Sequence, residues 1–140
     1  MTKTEQINDL NNNVKCKIGP SKIHGVGVIA IRKINKGEQL HCKPKPMARW
    51  YDVPYSRFDE IVPEIREIIL QRWASVVNGS HFLSPNEDAI MLVFMNHSDN
   101  PNYDVATDCA IKDIAEGEEV LEDYRRMANW VTVFPWLKIN

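Results

Sequence analysis

Several stretches of this 140-residue chain place polar side chains at spacings that could support chemistry. Gly25-Val26-Gly27-Val28-Ile29-Ala30 matches the G-x-G-x-x-A dinucleotide pattern letter for letter. That pattern functions only where it opens a helix whose N-terminus holds a pyrophosphate, with an acidic residue about 20 positions on. Here the glycines open a β-branched run and Glu38 comes too early, so they mark a turn between strands. What matters is whether that turn also touches a ligand. Asp99 to Asp104 has the outline of a calcium loop, but Pro101 and Tyr103 interrupt the ligand alternation and no glycine stands at the sixth place. His24, His41, His81 and His97 lack zinc-ligand spacing, so no metal is expected. Cys16, Cys42 and Cys109 form neither a disulfide framework nor a C-x-x-C pair, which fits reduced thiols in an intracellular setting. Their spacing leaves a Cys/His nucleophile pair open, with nothing local to support one.

The polar residues with the most distinctive context are Asn96 and His97, directly after the apolar run Ile90 to Met95, and Tyr124, at the end of Ile114 to Tyr124. Short elements must position them. Lys15 to Ile18 and Val26 to Ile31 are β-branched runs separated by Gly, Pro and Ser, the signature of strands joined by a turn. Another short run spans Glu38 to His41, and Tyr103 to Ala106 with Cys109 to Lys112 predicts a hairpin around Thr107-Asp108. Glu116-Gly117 turns the chain into Val120-Leu121. One helix is predicted from Pro63 to Val77. Pro63 suits a first turn, Ile65, Ile68, Ile69, Trp73 and Val76 form one apolar stripe, and Asn78-Gly79 supplies the stop. Ser56 and Asp59 have capping-box spacing for a turn ahead of it. The Asn-rich stretch Met1 to Asn13 reads as a flexible leader, residues 14–140 as one domain, and no internal repeat is visible. The tail from Trp130 to Leu137 alternates aromatic and aliphatic groups and is expected to pack.

Bulk properties narrow the field. A net charge of −2 with 44% hydrophobic and 26% charged residues describes an ordinary globular chain, without the basic excess of a nucleic-acid binder. The local run Lys43, Lys45 and Arg49 is offset by the acidic stretch Asp59 to Glu67. No segment approaches the roughly 18 apolar residues of a membrane span.

Four motifs in order, SKIHGVGVIA (21–30), INKGE (34–38), NHS-x-x-PN (96–102) and GEE-x-x-x-DY (117–124), resemble the SET-domain protein-lysine methyltransferases, in particular their small viral and bacterial members. The resemblance covers about Lys15 to Tyr124. It implies a mainly β fold with one principal helix, a β-clip of short strands with a pseudoknot-like crossing. It also implies S-adenosyl-L-methionine as cofactor and transfer of a methyl group to a lysine of a protein or peptide, histone or other. Carried over residue by residue, it makes Gly25, Val26, Gly27, Asn96 and His97 cofactor contacts and Tyr124 both a cofactor contact and the catalytic tyrosine. Glu118 and Glu119 are then structural, no strong general base is expected, and the aromatic tail is the candidate to close the lysine channel.

Where larger relatives carry a zinc-binding cysteine after NHS, this chain has Asp99 and no cysteine-rich tail, which again argues against zinc. A homodimer is compatible with this reading, and neither nucleic acid nor membrane is an expected partner. The location would be cytoplasmic, or nuclear if the substrate is chromatin. Two other readings stay open: a SET-like module that binds a peptide or partner without catalysis, and a small β-clip protein or methyltransferase acting on something other than lysine.

Overall fold

The computed structural model describes residues 1–140 except 48, 74–80, 89, 127–129 and 138–140. Its architecture is mainly β, built from small sheets with few helices. The largest sheet has four strands in the order β1 (Cys16–Pro20), β2 (Val26–Ala30), β8 (Glu119–Glu122) and β5 (Asn96–His97). Two-stranded ribbons join β3 (Trp50–Tyr51) to β4 (Phe82–Leu83) and β6 (Tyr103–Asp104) to β7 (Cys109–Ala110).

Strand β2 pairs antiparallel with β1 and β8, whereas β5 runs parallel to β8, with Asn96 opposite Leu121 and His97 opposite Glu122. The expected crossing takes the form of this parallel pair. Asn102 serves the edge of β8 opposite the one where β2 donates to Glu118 O and Ser98 N, just after β5, donates to Glu122 O. Its buried side chain donates to Glu119 O at 2.9 Å and accepts from Leu121 N at 2.8 Å, while its backbone N–H donates to Leu121 O. One side-chain amide thus stands in for a strand residue.

Two turns share one construction that the sequence did not reveal as a repeat. In Ile34-Asn35-Lys36-Gly37-Glu38, Glu38 Oε1 accepts from Asn35 N; in Ile114-Ala115-Glu116-Gly117-Glu118, Glu118 Oε2 accepts from Ala115 N. Gly37 and Gly117 have φ of 89° and 84°, a region costly for residues with a Cβ. Ile34 and Ile114, both fully buried, pair antiparallel, so the two turns face one another. Glu38 to His41 meets its neighbours through single bridges and loop hydrogen bonds rather than as a strand.

The N-terminal expectation is corrected. Lys3–Asn13 forms helix α1, with a complete capping box between Thr2 and Glu5 and with Ile7 and Leu10 in the core. Its amides, read from composition as signs of disorder, hold backbone. Gln6 makes two hydrogen bonds with Asp52, and Asn11 donates to Glu60 O and accepts from Val62 N. A second helix, eleven residues long, therefore joins the principal one. That helix, α2 (Pro63–Trp73), starts at the expected proline and buries Ile65, Ile68 and Ile69; Val76 and the Asn78-Gly79 stop lie outside the described residues. The turn ahead of it, Tyr55–Glu60, is a 3-10 helix preceded by Pro54, and Ser56 makes no capping bond there. The apolar run Ile90 to Met95 forms a 3-10 turn over Met91–Phe94. Two short helices are α3 (Pro85–Asp88) and α4 (Trp130–Val133), and Tyr124–Arg126 is a 3-10 turn.

Apolar side chains gather in two clusters. One joins α1, β3, α2 and β4 through Leu10, Tyr51, Phe58, Ile65 and Phe82. The other lies under the main sheet and the paired turns, through Val28, Ile34, Met95, Tyr103, Ile114 and Val120. Because Asn102 supplies two buried hydrogen bonds to β8, Asn102→Ala is expected to lower the unfolding free energy by about 2 to 3 kcal/mol, measured by urea denaturation.

Candidate functional site

The turn after β1 and the ends of β2, β5 and β8 meet at one place, and a buried amide ties them. Asn96 Nδ2 lies 2.8 Å from Glu119 Oε2, 3.0 Å from Val26 O, 3.1 Å from Ser21 Oγ and 3.2 Å from His24 O. Four acceptors around one atom identify it as the NH2 end of the amide. Oδ1 then points away from them and has no hydrogen-bond partner among the described residues. Glu119 also accepts from Ser21 Oγ at 2.7 Å, and Ser21 Oγ in turn accepts from Ile23 N and His24 N. Glu119 and Glu118 are therefore structural acceptors, as expected. Ser21 was not among the candidate residues, although it opens the first motif and sits at the spacing of a hydroxyl-closed turn.

The two glycines of the turn act differently. Gly27 is buried, and a Cβ there would lie 2.9 Å from Glu119 Cδ and 3.1 Å from Asn96 Nδ2. Its missing side chain makes room for the Asn96–Glu119 contact. Gly25 has φ of 52° and nothing within 4 Å of a would-be Cβ, so it presents bare backbone to open space beside the exposed Val26.

His97 links the first cluster to Tyr124. Its Nδ1 accepts from Tyr124 N at 3.1 Å, which leaves Nε2 to carry the proton and donate to Asp99 at 3.0 Å. The Tyr124 hydroxyl donates to Met95 O at 2.6 Å. Its ring is flanked by Phe134, His97 and Trp136, with centroids 4.6, 5.3 and 6.4 Å away. The aromatic tail thus packs on the tyrosine, with Trp136 largely exposed. All six predicted site residues fall in this region, joined by Asn96 on one side and His97 on the other.

One residue that sequence reasoning passed over stands out. Glu122 is 1% exposed, and neither carboxylate oxygen has a partner among the described residues. Burial alone pushes its pKa up to about 7. Tyr124, two residues on, is shifted upward by burial and then by the negative charges of Glu122 and Glu119. In the sequence Glu122 looks like one more acid in a solvated run.

Among the described residues, no group of three or more His, Cys, Asp or Glu is placed to hold a metal ion. No described helix is long and apolar enough to cross a membrane. Cys16 and Cys42 lie side by side in the core, and the hydrogen bond from Cys16 together with burial pushes the Cys42 thiol well up, the reverse of an activated nucleophile.

No protein-family model matches the sequence, and no curated protein matches it. Similar solved structures include a humanized mutant of the Chaetomium thermophilum Polycomb Repressive Complex 2 bound to the inhibitor GSK126. It is 18% identical, covering 86% of this chain and 16% of that one, with a TM-score of 0.43. The same complex in an autoinhibited conformation bound to S-adenosylmethionine is 18% identical over 89% of this chain and 17% of that one, also at 0.43. A Plasmodium falciparum protein assigned as a histone methyltransferase is 19% identical over 84% of this chain and 97% of that one, at 0.41. The chain spans about one sixth of the length of the Polycomb chains it matches.

The buried carboxyl makes stability depend on pH. With a folded pKa near 7 against 4.5 unfolded, the native state binds the proton more tightly, so Glu122 favours folding below pH 4.5 and that contribution is lost as pH rises through 7. Glu122→Gln is expected to remove the loss, stabilising the fold by up to about 3 kcal/mol at pH 8 and far less at pH 4.5, compared by urea unfolding at both.

Proposed function

We propose that this chain is an S-adenosylmethionine-dependent methyltransferase whose acceptor is a lysine side chain of a protein. The observation that carries the reading is the convergence of the Gly25-Val26-Gly27 turn, Asn96 and Tyr124 on one site through the Asn96 and His97 hydrogen bonds. The residues present fit the cofactor. Bare backbone at Gly25 faces open space, the spare carbonyl oxygen of Asn96 is an acceptor for an ammonium group, and an aromatic cluster around Tyr124 suits a sulfonium cation.

The cofactor would supply a methyl group already activated on positive sulfur. Everything else falls to the protein. Gly25 and Val26 would offer backbone to the amino-acid part, with Asn96 Oδ1 accepting from its ammonium. His97 holds the Tyr124 backbone in place, and Met95 O fixes the tyrosine hydroxyl, leaving its oxygen lone pairs to orient an incoming amine. Phe134 and Trp136 would exclude water over the tyrosine ring. An alkyl amine must be neutral to attack, which costs roughly 4 to 5 kcal/mol at pH 7 for a free lysine, so a dry channel beside a positive sulfur is useful in itself. Catalysis is then mostly orientation and electrostatics. Dependence on this cofactor would place the activity inside a cell, with a lysine-bearing protein as partner.

Calorimetric titration with S-adenosylmethionine is expected to show one saturable site, weakened about tenfold or more in an Asn96→Ala chain whose fold is checked by circular dichroism. Labelled-methyl transfer to a mixed protein substrate, with the modified residue identified by mass spectrometry, is expected to fall about a hundredfold in Tyr124→Phe. A folded wild type that does not bind the cofactor would favour the non-catalytic, partner-binding module instead. A labelled product other than methyl-lysine would reassign the acceptor.

A further inference from the structure

We propose that the end of β8 forms the receiving site for the substrate amine, with the Glu122 carboxylate as the group that takes its proton. This rests on the methyl-transfer reading for the fate of the amine, but the site itself is argued from Glu122 and its surroundings. Glu122 lines a recess of about 340 Å3 walled by Pro101, Tyr103, Asp104, Asp123 and Arg126. Around it the other charges are already matched. Asp104 faces Arg126 at 3.2 Å and accepts from Thr107, Asp123 is held by Arg125 at 2.8 Å, and the Tyr103 hydroxyl donates to Asp108 at 2.6 Å. His97, opposite Glu122 on β5, is turned towards Tyr124 N and Asp99. What remains is a single acidic group, almost wholly buried, with both oxygens unmatched among the described residues.

A carboxylate out of water and without a partner is costly, and a passing cation would relieve that cost. A lysine ammonium is the cation the proposed reaction brings. The recess favours it, because the surrounding pairs cancel and leave the negative charge of Glu122. Tyr124 lies two residues further on, close enough that the charge on Glu122 raises its hydroxyl's pKa. In the step itself an N–H bond of the ammonium breaks and its proton passes to a Glu122 oxygen. The products are a neutral amine with a free lone pair and a neutral carboxylic acid, whose proton returns to solvent through the recess before the next turnover. A carboxyl titrating near neutrality is matched to that exchange.

The test uses the full chain and n-butylammonium chloride as a lysine side-chain probe. The Glu122 carboxyl carbon is followed by NMR across pH 5 to 9, with Glu122→Gln as the control. A midpoint near 7 that falls by about half a unit or more on saturation with the probe is expected, together with probe affinity about tenfold weaker in Glu122→Gln, read from the amide shifts of residues 102–105. A midpoint that the probe does not move, or equal affinity in the variant, overturns the proposal. Calorimetry of the same wild-type sample with S-adenosylmethionine separates the two claims. An amine response without cofactor binding sinks the methyl-transfer reading and leaves the cation site standing. Cofactor binding without an amine response does the opposite.

Discussion

Strand β8 is short, central and in need of hydrogen bonds on both edges, and much of the remaining structure follows from how they are supplied. On one edge β2 provides an ordinary antiparallel partner. There β5 takes over for two residues, and on the other edge the Asn102 side chain does the work of a missing ladder. An unpaired buried peptide group costs as much as a lost hydrogen bond, so the polar cluster after Met95 has to lie against β8. That requirement brings Asn96 and His97 to the ends of β2 and β8, and with them the turn at Gly25.

The same constraint explains why an amide and an imidazole occupy the centre of the site. Asn96 meets four acceptors contributed by two separate stretches of chain, and Gly27 gives up its side chain so that Glu119 can be one of them. His97 carries the constraint onward to the backbone of Tyr124, whose ring and hydroxyl are then fixed by Phe134 and by Met95 O. Each link is an ordinary hydrogen bond or ring contact, worth about 1 kcal/mol net, yet together they hold one tyrosine at a defined place beside an open turn. Against these satisfied groups Glu122 is the exception, a buried acid on the same strand that the fold supports at a cost in stability.

Support for the strand comes from its flanks. The facing turns at Ile34 and Ile114 lock the start of β8 to the segment after β2, each closed by its own glutamate and each needing a glycine at positive φ. Helix α1 pins the segment around Asp52 and Val62 through Gln6 and Asn11, so the ribbon of β3 and β4 and the helix α2 form a second body of core beside the sheet.

The sequence by itself determined the short strands around the Gly25 turn, the start of α2 at Pro63, the hairpin after Asn102, and the two polar signatures that hold Asn96, His97 and Tyr124. These are local signals: glycine and proline punctuation, apolar periodicity, and side chains whose types are rare together. It misread α1, because an Asn- and Gln-containing stretch has the composition of a solvated leader, and only partners more than 40 positions away give its amides a task. It also missed the paired turns, since their likeness is carried by five residues and by a glutamate closing its own backbone. The matching of charges around Glu122 was decided by tertiary structure alone. Whether an acid is solvated or buried without a partner depends on what packs over it, and beside Glu122 stand residues of β6, which no spacing along the chain relates to it.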